Sequence, residues 1–322
     1  MQVKQGVFKL TKTAKTYTFF IIYLLLNLTV SLLLSDTGNI YFEDPMVYNI
    51  VAQLALFVPI VLIGVKMSGG GFKGALSLNK IGITDVVVAA LLTFATGPIV
   101  SLFSIIGIMF YPNNVSAALS VAYDSPLILS IIAICIIPAV FEELIFRGIV
   151  FSGFANQSLA RACLMGGLIF AIAHFDAQQS LYAFAIGVLL CYIVYRTKSV
   201  IPGMITHFMI NFTNLMASRV QLSQAETELV NNTAVSELLA PYFMLSLAAL
   251  PILVYLVSMM GRKYGRGKPL FRNATPFPAI KDDFKIEDES VFDYAPQLKF
   301  QEKLLKWQLI LIIAVYVPVF IV

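Results

Sequence analysis

The sequence predicts an all-α, polytopic transmembrane helical bundle of about eight to nine spans, and three observations carry that prediction. The first is composition: of 322 residues, 59% are hydrophobic and 12% charged, against roughly 45–50% and roughly 25% in soluble chains. Mean hydropathy is +0.84. A soluble domain of this size must show much of its surface to water and cannot hide so much apolar area. This excludes an ordinary soluble enzyme, a disordered regulator, a collagen-like chain and a disulfide scaffold. The second observation is that apolar runs of spanning length recur along the chain. The third is that the connections between them alternate in charge. The net charge of +4 is too modest to suggest a nucleic-acid partner.

A spanning helix needs about 20 apolar residues. The candidates are Tyr17–Leu34, Val47–Val65, Thr84–Tyr111, Pro126–Ser152, Arg161–Phe175, Leu181–Arg196, Val200–Ser218, Ala240–Met260 and Lys303–Val322. Lipid admits only helices or closed barrels, and runs this continuous are helices. The fifth to seventh are short or closely spaced, which suits tilted or partly re-entrant helices.

Lys/Arg excess marks the cytoplasmic side. Residues 1–16 form a basic tail carrying Lys4, Lys9, Lys12 and Lys15. With no clear small-residue cleavage site after it, the first apolar run reads as a retained span rather than a signal peptide. The next connection holds Asp36, Glu43 and Asp44, and the one after it Lys66, Lys73 and Lys80. Asp124 and Asp176 then alternate with Arg161, and with Arg196 and Lys198; the segment after span eight opens with Arg262, Lys263, Arg266 and Lys268. This places the N-terminus in the cytoplasm and the C-terminus outside, in an integral protein expected in a bacterial plasma membrane. The bundle occupies 17–260 and a last hydrophobic span 303–322. Between them, 261–302 is rich in charge and proline and reads as a flexible cytoplasmic linker, a tether for which a binding partner stays open. The three cysteines, Cys135, Cys163 and Cys191, lie in apolar runs and read as packing residues.

Ionisable groups inside spans are costly and are functional-site hypotheses by default. Span four carries Glu142, Glu143 and Arg147, and both histidines of the chain, His174 and His207, lie in later spans. Residues three and four apart share a helix face. Glu143 and Arg147 therefore can pair, while Glu142 points elsewhere and is free to react. Phe170 and His174 share a face, as do His207 and Asn211. At about 1.5 Å per residue, Glu142 and His207 lie roughly 12–15 Å deep and His174 deeper. The three are expected in one cavity near the midplane, open to the cytoplasm. Taken singly, each has a bland reading as an ion pair or interhelical hydrogen bond; together, in a chain with so few charges, they point to a site.

One carboxylate, two imidazoles and a carboxamide suggest hydrolysis. A carboxylate withdrawn from water holds a proton more tightly and can act as general base near neutral pH. An imidazole and an amide can donate to the oxyanion of a tetrahedral intermediate. Two His and one Glu (Glu142, His174 and His207) are also a zinc set that leaves a position for water. Residue types alone leave the two open.

The runs Glu142-Glu143-x-x-x-Arg147, Phe170-x-x-x-His174 and His207-x-x-x-Asn211 resemble the EExxxR, FxxxH and HxxxN motifs of the CPBP family (CAAX proteases and bacteriocin-processing enzymes, also called the Abi family). The likeness covers about 126–218. It implies a CAAX-protease-like core and an intramembrane endopeptidase acting on membrane-associated peptides. It further implies that Glu142 with His174 activates water, that His207 with Asn211 forms the oxyanion hole, and that Glu143, Arg147 and Phe170 support them. A glutamate-type mechanism without cofactor is favoured and zinc is the alternative. The rival readings are a non-catalytic immunity or regulatory protein of the same fold and a proton-coupled transporter. The transporter lacks an inverted repeat in its favour.

Overall fold

The computed structural model describes residues 12–35, 42–69, 71–112, 114–155, 157–220 and 234–261, together with 307, 308, 310 and 312. The described residues are helical over most of each predicted span. We number the helices α1 Lys12–Ser35, α2 Pro45–Ser68, α3 Ile83–Ile108, α4 Asn114–Asp124, α5 Leu127–Gly153, α6 Leu159–Ala173, α7 Ala177–Thr197, α8 Ile201–Ser218 and α9 Leu239–Met259.

Each of the first eight predicted spans coincides with one of these helices. Six are long and apolar enough to cross a membrane: α1, α2, α3, α5, α7 and the segment Val235–Met259 that contains α9. Two motif helices fall short. α6 has only 15 residues, and α8 is interrupted by His207, Asn211 and Asn214. The polar residues that make α8 interesting are the ones that lower its hydropathy. α4 was not anticipated and fills a connection expected to be irregular. The tail before Lys12, almost all of 261–302 and most of 303–322 lie outside the described residues. Within the last, Gln308 Nε2 donates to Thr18 Oγ1 of α1 at 2.8 Å.

Local signals set the helix ends. Asp44 caps α2 by accepting from Met46 N–H at 2.7 Å, with Pro45 in the first turn, and Gly69 at φ 71° ends it. Asp176 caps α7 by accepting from Gln179 N–H at 2.8 Å. Between α6 and α7 lie only His174, Phe175 and Asp176, and Phe175 takes the left-handed conformation at φ 49°. A side chain rarely sits there without a compensating context, and such positions cluster at functional sites. This tight reversal leaves His174 at the very end of α6.

α6 and α7 pack at close backbone range. A Cβ on Gly187 would come within 2.7 Å of Gly167 Cα, and one on Gly167 within 2.9 Å of Phe184 O. Small residues let membrane helices approach in this way. Gly187→Val is therefore expected to force α6 and α7 apart and displace Phe170 and His174. The expected result is a lowered midpoint of thermal unfolding in detergent, worth about 1–3 kcal/mol, together with lost activity. Cys191 also lies in this seam beside Gly166, and all three cysteines are buried, as packing residues should be.

At the lysine-rich helix ends, Arg196 of α7 donates through Nη2 to Ser258 O and Met260 O, both at 2.8 Å. Asp85 Oδ1 of α3 accepts from Gly261 N–H at 3.0 Å. The Arg196 bonds satisfy carbonyls at the end of α9 that lack intrahelical donors, and Asp85 takes the N–H that follows. At the opposite ends, Arg219 donates to Ala122 O and Ser125 O after α4.

Candidate active site

α5 is not a uniform α-helix. It widens into π-turns over Ile131–Ile136 and Glu143–Val150, with an α-helical turn, Ile137–Glu142, between them. Such bulges recur at functional sites, because one extra residue per turn re-aims side chains. Glu142 and Glu143 stand at the second junction. Glu143 is fully buried, and its Oε1 accepts from Arg147 Nη1 at 2.9 Å and from His207 Nδ1 at 3.0 Å. Glu142 is half-buried and lines a cavity. Adjacent carboxylates thus face different surroundings, one an ion pair and one an opening.

Arg147 is held on two sides. It pairs with Glu143, and its guanidinium carbon lies 4.0 Å from the centre of the Phe170 ring. Phe170 also meets His174 edge-on, ring centres 4.7 Å apart at 85°, and His207 at 6.1 Å and 89°. One aromatic ring therefore locates a cation and both imidazoles.

Hydrogen bonds fix the imidazoles further. His174 Nδ1 lies 2.8 Å from Phe170 O. A carbonyl oxygen only accepts, so Nδ1 carries the proton and neutral His174 offers a lone pair at Nε2. His207 Nδ1 faces the Glu143 carboxylate, so it too donates there.

Asn211 is anchored by a feature of α5. Its Nδ2 donates to Ile134 O at 2.9 Å, and Gln53 Nε2 of α2 donates to the neighbouring Ala133 O at 2.8 Å. Pro138 lies four residues past Ile134 and five past Ala133, and it has no N–H to return to this turn. Two side-chain amides take the place of the missing donor. Pro138→Ala supplies an N–H that competes for these carbonyls. Its expected effect is normal folding with activity reduced roughly 10–100-fold, read by comparing kcat with the unfolding midpoint.

Glu142, Phe170, His174, His207 and Asn211 line one cavity of about 340 Å³. Glu143 and Arg147 lie behind that lining. Glu142 Oε2 and Gln53 Oε1 are buried with no hydrogen-bond partner. Gln53 and Asn49, which hydrogen-bond to each other, are also in the lining. Sequence reasoning missed them by attending to ionisable groups; two amides four residues apart in an apolar span were the available signal.

The cavity's lining comes from the first halves of α2 and α7, the middles of α5 and α8, the last third of α3, the end of α6, and α4. Glu142 and His207 thus stand near the middles of their helices, and His174 stands where α6 ends.

The zinc alternative needs Glu142, His174 and His207 around one point. Among the described residues no group of three His, Cys, Asp or Glu is placed to hold a metal ion.

Residues 124–213 match the family model described as Rce1-like, Type II CAAX prenyl endopeptidase Rce1-like. This segment is similar to the Rce1-like family. The match spans α5, α6, α7 and most of α8, takes in all three motifs, and agrees with the likeness to the CPBP family read from them. A likeness to the Rce1-like family in a chain with six membrane-length apolar helices supports an integral membrane protease. No match was found to a curated protein or to a solved structure.

Proposed function

We propose that the protein is an intramembrane endopeptidase that hydrolyses a peptide bond of a membrane-associated substrate with water activated by Glu142 and His174. The observation that carries this reading is the shared cavity: Glu142, His174, His207 and Asn211 meet there while Glu143 and Arg147 are excluded.

The roles follow from the donors and acceptors. Glu142 Oε2 has no protein partner and His174 Nε2 offers a lone pair, so a water between them can lose a proton to Glu142 while the imidazole orients it. The hydroxide adds to the scissile carbonyl carbon, forming a C–O bond and an oxyanion. One amide hydrogen of Asn211 is bound to Ile134 O, which leaves the other for that oxyanion. His207, whose Nδ1 donates to Glu143, donates from Nε2 when its ring is an imidazolium. Each such donor is typically worth ~10²–10³ in rate. Collapse of the intermediate breaks the C–N bond, and Glu142 returns its proton to the departing nitrogen.

The test is cleavage of a quenched membrane-peptide library by purified protein in detergent, with and without a strong zinc chelator. Cleavage that survives chelation supports the glutamate mechanism. Cleavage abolished by the chelator and restored by zinc sinks it and makes the two histidines ligands. Retained cleavage in Glu142→Gln removes Glu142 from the chemistry.

A further inference from the structure

Gln53 of α2 brings to the catalytic cavity a polar atom that the reaction above leaves unused. Its Nε2 meets two acceptors, Asn49 Oδ1 one turn earlier and Ala133 O of α5 at 2.8 Å. A main-chain carbonyl oxygen only accepts, so the amide nitrogen must face Ala133 O, and each of its two hydrogens has a partner. That settles the orientation of the side chain and turns Oε1 away from both. Oε1 is buried with no hydrogen-bond partner among the described residues, and an acceptor withdrawn from water without a donor is costly. Asn49, Gln53, Ala133 and Glu142 all line the same cavity. One turn past Gln53, the Phe57 ring stacks on that of Phe141, the neighbour of Glu142, with centres 5.8 Å apart. α2 is thereby held against the part of α5 that carries the acid.

Two amides thus hang from consecutive carbonyls of α5, Gln53 from Ala133 O and Asn211 from Ile134 O. Asn211 has a hydrogen to spare and Gln53 an oxygen. A peptide under attack asks for both kinds of partner. Its carbonyl oxygen gains charge, and its N–H groups find no bulk water at membrane depth. We infer that Gln53 is a substrate-binding residue whose Oε1 accepts a main-chain N–H of the peptide at or beside the scissile bond, with Asn49 holding the amide in that orientation. The inference rests on the peptidase reading. It adds to the site a residue of α2, outside the segment 124–213 that matches the family model.

Backbone esters test it. A peptide cleaved from the quenched library is resynthesised with the main-chain N–H of each residue near the scissile bond replaced, one at a time, by an ester oxygen. Each ester removes one donor and nearly keeps the shape. The quantity read is the ratio of kcat/KM for the unsubstituted protein to that for Gln53→Met, taken on every peptide, so that the intrinsic reactivity of an ester cancels. On the all-amide peptide the ratio is expected to be about 10–100, the worth of one buried hydrogen bond. At one ester it should collapse toward unity, and at the others it should keep the all-amide value. A Gln53 that only braces α5 lowers cleavage of every peptide by the same factor, and that result overturns the inference. So does a ratio of unity on the all-amide peptide. Asn49→Ala keeps the oxygen but loosens its amide, and serves as the second variant if Gln53→Met does not fold. It is expected to give a smaller ratio that drops at one ester, and a uniform ratio overturns the inference here too. Absence of cleavage by the unsubstituted protein defeats the peptidase reading itself, whereas cleavage with a uniform ratio defeats only the role of Gln53.

Discussion

Glu142→Gln is expected to lower cleavage by ~10²–10⁴-fold, the usual worth of a positioned general base, with insertion and unfolding midpoint unchanged. The amide has nearly the shape of the acid but cannot take a proton from water. Glu142 borders the cavity and makes no ion pair among the described residues, so the protein loses chemistry and little else. Glu143→Gln makes the contrasting experiment. Its carboxylate binds Arg147 and His207 inside the bundle, so the expected result is a lowered unfolding midpoint together with reduced activity. Equal effects of the two substitutions on stability would contradict the division of labour between adjacent carboxylates.

Arg147→Met is expected to give the largest loss of stability, about 3–5 kcal/mol, because removing one member of a buried pair strands the other's charge. Both side chains are fully buried, so water cannot compensate. The guanidinium also leaves its place over Phe170, a further contact worth ~2 kcal/mol where desolvated. The measurement is thermal unfolding in detergent, with the double variant Glu143→Gln/Arg147→Met beside it. The double variant should recover part of the loss, since it buries no unpaired charge. A loss that simply adds would argue that the two groups act separately.

The parts of the site that were legible in the sequence share a simple origin. A charge inside an apolar helix is conspicuous because lipid disfavours it, so Glu142, Glu143, Arg147, His174 and His207 could be singled out in order. Spacing of four residues sufficed to pair Glu143 with Arg147 and to set Phe170 beside His174. The helices themselves were equally readable, since length and hydropathy are local properties. α8 shows where this breaks down: Thr206, His207 and Asn211 bond to other helices, and hydropathy does not register that difference.

The sequence by itself determined a helical membrane bundle, the order of its helices and the identities of the candidate site residues, because composition and periodicity act along the chain. Only the tertiary structure decided which groups face the cavity. The π-turns of α5 re-aim Glu142 and Glu143 relative to a regular helix. Pro138 hands Ala133 O and Ile134 O to amides that come from 80 residues before and 77 residues after them. Each depends on which helices touch across long separations in the chain, and contacts of that kind leave no period for a sequence to display.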